Sequence, residues 1–220
     1  MADNPFKKAL FSEFARVAKA LGNGNRLELL EFLAQRECSV EELAKSAGLR
    51  VGNTSQHLQQ LRQAGLVVAR KQGLKVFYRL RSDEVVVLLQ SLRKVAEQHI
   101  AEVNSLVDEF LRAKDQLAPM PREELLEKAR AGLVTVLDVR PPEEYRAGHL
   151  PGAVNVPLQA LQEWLDRLDP AQEVVAYCRG PHCVLAYDAV MALRQRGFQA
   201  QRLQDGFPEW KSAGLPVERG

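Results

Sequence analysis

Two prolines near the middle of the chain, Pro119 and Pro121, separate two halves with different hydrophobic patterns. Residues 1–118 repeat apolar positions at helical spacing and contain one pair of strand-like runs, which predicts an all-α domain with a β-hairpin. Residues 119–220 alternate strand-like and helical segments, which predicts an α/β domain with a mainly parallel sheet. The expected first domain, linker and second domain lie at residues 1–115, 116–121 and 122–220.

Composition excludes several classes of protein. The chain has 220 residues, of which 46% are hydrophobic and 26% charged, as in ordinary globular proteins. It contains no run of about 18 apolar residues, which a membrane span needs, and residues 1–10 lack the apolar core of a signal peptide. Three cysteines are too few for a secreted disulfide framework. We therefore expect a cytoplasmic protein without membrane contact.

Positive charge is concentrated in the first half. Residues 1–118 carry 18 Lys and Arg against 14 Asp and Glu, whereas residues 119–220 carry 12 against 14. The window 45–81 contains no Asp or Glu, which favours a polyanionic partner. Its basic residues are Lys45, Arg50, Arg62, Arg70, Lys71, Lys75, Arg79 and Arg81.

The first half begins with helices that carry recognisable end signals. A helix over residues 6–21 is followed by turn residues 22–25, in which Asn25 is expected to cap a second helix. Ser39, with Glu42 three residues later, forms a capping box and predicts a third helix.

A fourth helix at residues 52–64 follows closely, so that the third and fourth helices form a helix-turn-helix. We expect Leu58 and Leu61 to face inward. Amide and hydroxyl side chains near the start of such a helix reach base edges in the major groove, and basic neighbours hold phosphates. A solvated amphipathic helix is the alternative. The candidate DNA-binding residues are Asn53, Thr54, Ser55, Gln56, His57, Gln60 and Arg62.

Strand-like runs at residues 66–70 and 76–80 predict a hairpin with a basic tip. We expect Arg70, Lys71 and Lys75 to lie along the DNA backbone and to add affinity and salt dependence without reading sequence. Charge that only aids solubility is the alternative. Helix and hairpin together predict that the chain binds duplex DNA.

One long amphipathic pattern, residues 83–112, offers a broader apolar face than so small a domain can cover. Pairing with the same helix of a second copy would cover this face. A two-fold homodimer would present two recognition helices to a pseudo-palindromic operator.

Short motifs carry a resemblance of residues 5–112 to the ArsR/SmtB family of winged-helix repressors. It implies a dimeric winged helix-turn-helix that releases DNA on binding a metal or on reacting with an oxidant or a sulfur species. The motifs are Ala20-Leu21-Gly22, Asn25-Arg26-Leu27, the capped Ser39 helix, Ser55-Gln56-His57-Leu58, Leu61-Arg62-Gln63-Ala64-Gly65-Leu66-Val67 and the hairpin.

The family's thiolate metal site is absent, since its Cys-x-Cys is replaced here by Ser39-Val40-Glu41. A zinc site on the last helix would have only His99 and Glu102, one turn apart, so we expect His99 in the dimer interface. Cys38 is expected to be a small core residue, with a thiol sensor as the alternative. We predict no metal and no cofactor.

In the second half, a strand at residues 173–177 is followed by the cysteine loop, residues 178–183, and then by a helix. Such a loop surrounds an anion with backbone amides and the positive end of the helix dipole. Cys178 is therefore expected to be largely thiolate, with Arg179 and His182 adding positive charge. The alternatives are a buried, inert cysteine or a zinc site shared with His182 and Cys183. Gly180 and Pro181 indicate that the loop is irregular and exposed.

Ordered motifs carry a second resemblance, of residues 121–218 to a single rhodanese domain. It implies that Cys178 accepts a sulfane sulfur as a persulfide, held by the loop amides, and passes it to a nucleophile. Residues Asp138, Arg140, Glu144 and His149 match positions that brace the fold and the loop. The motifs are Asp138-Val139-Arg140, Glu144-Tyr145, Gly148-His149-Leu150-Pro151-Gly152-Ala153, Asn155-Val156-Pro157, Tyr177-Cys178-Arg179, Asp205-Gly206-Phe207 with Trp210, and Gly214-Leu215-Pro216-Val217.

Two departures from the usual rhodanese and phosphatase patterns bear on the chemistry. Cys183 either resolves a Cys178 persulfide into a disulfide or polysulfide, or is only a small residue that starts the helix. Residue 184 is Val184 and not Arg, which disfavours phosphate chemistry. The candidate catalytic residues are Cys178, Arg179 and Cys183.

These patterns favour a DNA-binding transcriptional repressor whose rhodanese-like domain senses or transfers sulfane sulfur through Cys178, with a small sulfur donor or thiol acceptor as partner. One alternative is a sulfurtransferase that uses the winged helix as a dimerisation scaffold. Another is a repressor that responds to an arsenical bound by Cys178 and Cys183. The acid-free window 45–81 favours the first hypothesis. Sulfurtransferase turnover is left open.

Overall fold

The computed structural model describes residues 4–115 and 117–220. The chain divides into two compact units between residues 85 and 86, and each is described by itself. This division precedes the linker expected at residues 116–121, whose first residue, Gln116, lies outside the described residues. The domain bounds therefore remain a prediction. Within the described residues, no helix is both long and apolar enough to cross a membrane.

The first unit combines helices with a three-stranded antiparallel sheet of order β1-β3-β2. The hairpin was expected, whereas the short third strand β1 was not. The elements are α1 (Pro5–Leu21), α2 (Gly24–Gln35), β1 (Cys38–Ser39), α3 (Val40–Ser46), α4 (Val51–Gln63), β2 (Val67–Gln72) and β3 (Lys75–Leu80).

Side-chain caps fix where these helices begin. The cap of α2 is Asn23, whose side chain accepts a hydrogen bond from the Arg26 amide at 3.2 Å. The prediction that Asn25 caps this helix was wrong, because Asn23 is the extended residue and α2 begins at the next one, Gly24. The capping box of α3 is confirmed, with the Ser39 amide 2.7 Å from Glu42 Oε2.

The core of the first unit fixes the orientation of α4. Leu58 and Leu61 are fully buried, as their spacing predicted. Leu29 and Leu30 of α2 and Leu43 of α3 are equally buried, and both helices contact α4. The opposite face of α4 is therefore left to solvent.

The long helix expected over residues 83–112 is interrupted. It forms α5 (Glu84–His99), α6 (Ala101–Val107) and one π-helical turn (Asp108–Arg112). Ile100 is extended, and the Asn104 side chain donates to the Glu97 carbonyl at 2.8 Å. A continuous helix was the wrong prediction because this side-chain amide supplies the donor that the backbone would otherwise provide.

The second unit is built on a parallel sheet of order β5-β4-β6-β7, which confirms the α/β prediction. Residues of β6 alternate between two apolar layers, with Val174 and Ala176 on one face and Val175 and Tyr177 on the other. The elements after α6 are α7 (Arg122–Arg130), β4 (Val134–Asp138), α8 (Pro142–Ala147), β5 (Val154–Asn155), α9 (Leu161–Trp164), β6 (Glu173–Tyr177), α10 (Val184–Gln195), β7 (Ala200–Arg202) and α11 (Phe207–Ser212).

The residues that precede α7 are tied to this sheet. The Met120 amide donates to the Arg202 carbonyl at 2.7 Å, and Met120 is buried. Asp115 is also buried and accepts hydrogen bonds from Arg194 and Arg202, each at 2.7 Å. Burial raises the pKa of Asp115, but the two arginines outweigh it and the pKa is lowered. The segment from Leu117 to Met120 is thus anchored at both ends.

Candidate functional site

The cysteine loop leaves the carboxyl end of β6 and enters α10, as expected. A disulfide joins Cys178 to Cys183, with the Cα atoms 6.1 Å apart. Cys178 is 1% exposed and belongs to the apolar core on one face of the sheet. The prediction of an exposed loop with a free thiolate is therefore wrong for this state, because the disulfide holds the sulfur in the core.

Arg179 is directed to a carboxylate. Its Nε and Nη2 atoms donate to Glu144 Oε1 at 3.0 and 2.6 Å. Glu144 is itself buried, so it braces the loop as the family resemblance implied. We expected Arg179 to add positive charge beside Cys178, but the Glu144 carboxylate neutralises its guanidinium. Two nitrogen atoms of Arg179 bind this carboxylate together, and such charge-assisted hydrogen bonds are strong.

His182 contacts α5. Its Nε2 lies 3.1 Å from Glu97 Oε1. Burial lowers the pKa of His182, Glu97 raises it, and Arg93 and Arg202 lower it, with a lowered pKa as the net result. The ring is therefore largely neutral near pH 7, which corrects the expectation that it adds positive charge to the loop.

The Gly206 turn also contacts the cysteine loop. The Phe207 amide donates to the Cys178 carbonyl at 3.0 Å, and the Gly206 amide donates to Glu209 Oε2 at 3.1 Å. A Cβ added to Gly206 would overlap the backbone of Gly180. The motif Asp205-Gly206-Phe207 was visible in the sequence, but the role of Glu209 was not.

A buried polar network lies at the end of β4. Asp138 and Arg140 form a fully buried ion pair, with Nη2 2.6 Å from Oδ2. The Tyr177 hydroxyl donates to the same Oδ2 at 2.6 Å, and Arg140 also donates to the Gly148 carbonyl at 2.7 Å. The network links β4, β6 and the turn at Gly148, so these residues have the bracing role that the resemblance implied.

A cavity of about 860 Å³ adjoins the cysteine loop. Pro181 and His182 line it from the loop, and Arg93 and Glu97 line it from α5. The loop therefore borders free space on the side of α5.

The exposed face of α4 carries most of the predicted base-reading residues. Asn53, Gln56, Gln60 and Arg62 are exposed, whereas Ser55 and His57 are half-buried. Thr54 is fully buried and donates to the Arg50 carbonyl at 3.2 Å, so its assignment to the DNA face is wrong. It occupies the helical position that faces the core four residues before Leu58.

The hairpin places Arg70, Lys71 and Lys75 on exposed strand positions. Arg70 is hydrogen-bonded through Nε to Glu37 Oε1 at 2.8 Å and lies over the Phe77 ring, 4.8 Å from its centroid. The acid-free window, residues 45–81, did not reveal that Glu37 pairs with Arg70. Glu37 precedes this window in sequence and reaches Arg70 only in the folded protein.

The other predicted sensor positions are distributed differently. Cys38 is buried in the core of the first unit, as the sequence suggested, and takes no part in the disulfide. His99 and Glu102 are exposed on either side of the break at Ile100. Across residues 4–115 and 117–220, no group of three or more His, Cys, Asp or Glu side chains is arranged to hold a metal ion.

Comparisons with known proteins match both halves of the chain. Residues 23–68 match the family described as bacterial regulatory protein, arsR family, and residues 121–213 match the rhodanese-like domain. The HTH-type transcriptional regulator Rv0324 of Mycobacterium tuberculosis is 44% identical over 97% of this chain and 94% of its own length. The chain belongs to the ArsR family of bacterial transcriptional regulators.

Two further similarities concern parts of this ArsR-family regulator. A sulfurtransferase of Allochromatium vinosum is 29% identical over 38% of this chain and 78% of its own length. The homodimeric winged helix-turn-helix domain Mb0332 of Mycobacterium bovis is 39% identical, covers 46% of this chain and 93% of its own, and has a TM-score of 0.42. The predicted DNA-binding regulator with a rhodanese-like domain is confirmed, while the individual site residues stay predictions.

Proposed function

We propose that this ArsR-family regulator binds operator DNA as a homodimer and senses sulfane sulfur through Cys178 and Cys183. The observation that carries the proposal is the disulfide between them. It puts a second thiol within bonding distance of the cysteine to which the rhodanese resemblance assigns the persulfide.

The DNA-binding surface consists of α4 and the hairpin. Asn53 and Gln56 are exposed near the amino end of α4, where amide side chains can reach base edges. Lys71 and Lys75 are exposed on the hairpin, where they can contact phosphates. Binding should therefore depend steeply on salt, since each neutralised phosphate releases counterions.

A homodimer accounts for apolar side chains that the single chain leaves exposed. On α1, Phe6 is 71% exposed, and Phe11 and Phe14 are also exposed. On α5, Leu88 and Leu92 are exposed. Exposed apolar faces of this kind mark association surfaces, and a second copy of the chain supplies the same faces by symmetry.

The sulfur chemistry begins at Cys178 in the dithiol form. After its proton leaves to solvent, the Cys178 thiolate attacks the sulfane sulfur of a donor such as thiosulfate. A sulfur–sulfur bond forms at Cys178, and the donor's sulfur–sulfur bond breaks with its electron pair leaving on sulfite. The product is a Cys178 persulfide at the amino end of α10, where the helix dipole favours its negative charge.

Cys183 then completes the cycle. Its thiolate attacks Sγ of Cys178, the Cys178–Cys183 bond forms, and the terminal sulfur leaves as hydrosulfide. The sulfane sulfur is reduced while the two cysteine sulfurs are oxidised, so no other oxidant is needed. A reducing thiol reopens the disulfide by exchange. The disulfide is the state in which DNA affinity falls.

Mass spectrometry of the full chain after reduction and exposure to thiosulfate tests the chemistry. We expect a disulfide in the wild type, a protein with one added sulfur in Cys183→Ser, and neither in Cys178→Ser. Cys38→Ser is the matched control and should behave like the wild type.

Binding of the same samples to the DNA upstream of the gene tests the sensing. The wild type should lose affinity on thiosulfate treatment, and Cys178→Ser should not. If the cysteines react but affinity stays constant, the rhodanese-like domain is a sulfurtransferase attached to a repressor, and sensing is refuted.

A further inference from the structure

One polar face of α5 contacts the elements that form and hold the cysteine loop. Gln90, Arg93 and Glu97 are three and four residues apart, so they lie on one side of the helix. Gln90 and Arg93 meet two residues of α11, one of which caps the Gly206 turn, and Glu97 meets the loop itself. The contacts are Gln90 Nε2 to Ser212 Oγ at 3.4 Å, Arg93 Nη1 to Glu209 Oε1 at 3.1 Å, and Glu97 Oε1 to His182 Nε2 at 3.1 Å.

Another set of α5 residues, Leu88, Leu92 and Val95, shares this spacing but is apolar and exposed. These residues belong to the surface that the proposed homodimer covers. The helix also begins at Glu84, four residues after the last hairpin strand ends at Leu80. One rigid element thus carries the loop contacts, the proposed dimer surface and the chain connection to the hairpin.

We propose that α5 transmits the state of the Cys178–Cys183 pair to the DNA-binding dimer, with Glu97 and Arg93 as the positioning residues that respond to the loop. This inference rests on the proposed function and names its route of regulation. It differs from a mechanism in which the rhodanese-like domain swings on a flexible linker.

The loop loses a covalent constraint when the disulfide opens. Two bonded sulfur atoms must separate to van der Waals contact in the dithiol, and further when a persulfide sulfur is added. Gly180 cannot retreat toward the Gly206 turn, because the two backbones are already in contact. A Cβ built at Gly180 lies 3.7 Å from the Arg93 guanidinium of α5 and 3.8 Å from Glu209 Oε1, so a shift of Gly180 is felt by this ion pair. Free space lies on the side of α5, where Pro181 and His182 border the 860 Å³ cavity.

The alternative route through the linker is closed in this structure. Asp115 is held by Arg194 and Arg202, and the Met120 backbone is hydrogen-bonded to β7 and to Gln204. Movement of the loop therefore reaches the rest of the chain more directly through α5 than through a hinge at residues 117–120.

Hydrogen–deuterium exchange of the full-length protein tests the coupling without using sulfane sulfur. We compare the dithiol with the disulfide made by a chemical thiol oxidant, and we follow peptides that cover residues 86–99. Protection of these amides should differ between the two states in the wild type. The difference should shrink in Glu97→Ala and remain in Glu102→Ala, an exposed acidic residue on α6.

DNA affinity of the same oxidised and reduced samples provides the second measurement. In the wild type we expect at least about a fivefold difference in Kd between the two states, the lower end of typical coupling between sites. Glu97→Ala and His182→Ala should each reduce this ratio toward one, and the double variant should reduce it no further than either alone. Glu102→Ala should retain the wild-type ratio.

The outcomes separate this inference from the proposed function. If thiosulfate fails to modify Cys178 but oxidation still changes α5 protection and DNA affinity, the sulfur chemistry is wrong and the α5 route stands. If Glu97→Ala forms the disulfide and keeps the full wild-type ratio, the α5 route is overturned while sensing stands. If the oxidised and reduced wild-type proteins bind DNA with the same Kd, the α5 route is overturned as well.

Discussion

Gly206 lies directly against Gly180, with no room for a side chain between the two backbones. Gly206 has a negative φ of −95°, so any residue could adopt its conformation. The glycine is required because of the close approach and not because of backbone strain. This contact fixes the path of the cysteine loop.

Gly206→Ala should therefore displace the loop. We expect it to destabilise the protein by about 1–3 kcal/mol, as overpacking commonly does, and to slow persulfide formation at Cys178. Denaturant unfolding and mass spectrometry after thiosulfate treatment measure the two effects. Gly24→Ala is the matched control, since a Cβ there meets nothing within 4 Å. Equal behaviour of the two variants would show that the contact is unimportant.

Asp138→Ala should strongly destabilise the second unit. It leaves the fully buried Arg140 charge and the Tyr177 hydroxyl without their shared acceptor, and loss of one partner of a buried pair costs about 3–5 kcal/mol. The exposed pair of Asp108 with Arg112 provides the control, because Asp108→Ala should change stability by about 1 kcal/mol or less. The midpoint of urea unfolding reports both, and similar midpoints for the two variants would contradict the expectation.

Gln56→Ala should weaken binding to the specific operator more than binding to unrelated DNA, because Gln56 is exposed on α4. Thr54→Val should leave the ratio of specific to nonspecific affinity unchanged, since Thr54 is buried and its hydroxyl donates to the Arg50 carbonyl at the start of α4. Fluorescence anisotropy with both DNAs measures the ratio. A loss of specificity in Thr54→Val alone would mean that α4 meets DNA through a different face.

Glu37→Gln should increase affinity for DNA of any sequence. The carboxylate holds Arg70 on the hairpin and would repel a nearby phosphate, so its removal leaves Arg70 more available to the DNA backbone. The slope of log affinity against log salt concentration should steepen by up to the amount that about one additional phosphate contact gives. Glu41→Gln, which removes an exposed charge on α3, is the control. Unchanged or weaker binding in Glu37→Gln would refute the competition.

Protein stability should decrease in mildly acidic solution because of His182. Its pKa is lowered in the folded state, chiefly by burial, below the value of about 6.5 expected when unfolded. The stability that the buried, neutral His182 ring contributes is fully present above that unfolded pKa. It is lost as the pH falls through the folded pKa. Unfolding experiments at pH 7.5 and 5.5 should therefore show a larger loss in the wild type than in His182→Gln. An equal loss in both would exclude this histidine as the cause.

Local sequence signals determined most of the architecture. The capping box at Ser39 and Glu42, the alternation in β6 and the apolar spacing of α4 each act within a few residues, so they can be read without the fold. Ordered motifs likewise indicated the ArsR and rhodanese-like halves. The break at Ile100 was not readable, because it depends on one side-chain amide, that of Asn104, replacing a backbone donor.

Only the tertiary structure decided how the functional side chains are engaged. The sequence placed Arg179 and His182 beside Cys178 as sources of positive charge, but Glu144 and Glu97 come from distant positions and bind them. The sequence left open whether Cys183 meets Cys178 or only starts the helix, and the path of the folded loop brings them together. The physical reason is that charge pairing and burial depend on distances between residues far apart in sequence, whereas propensity and periodicity act along the chain.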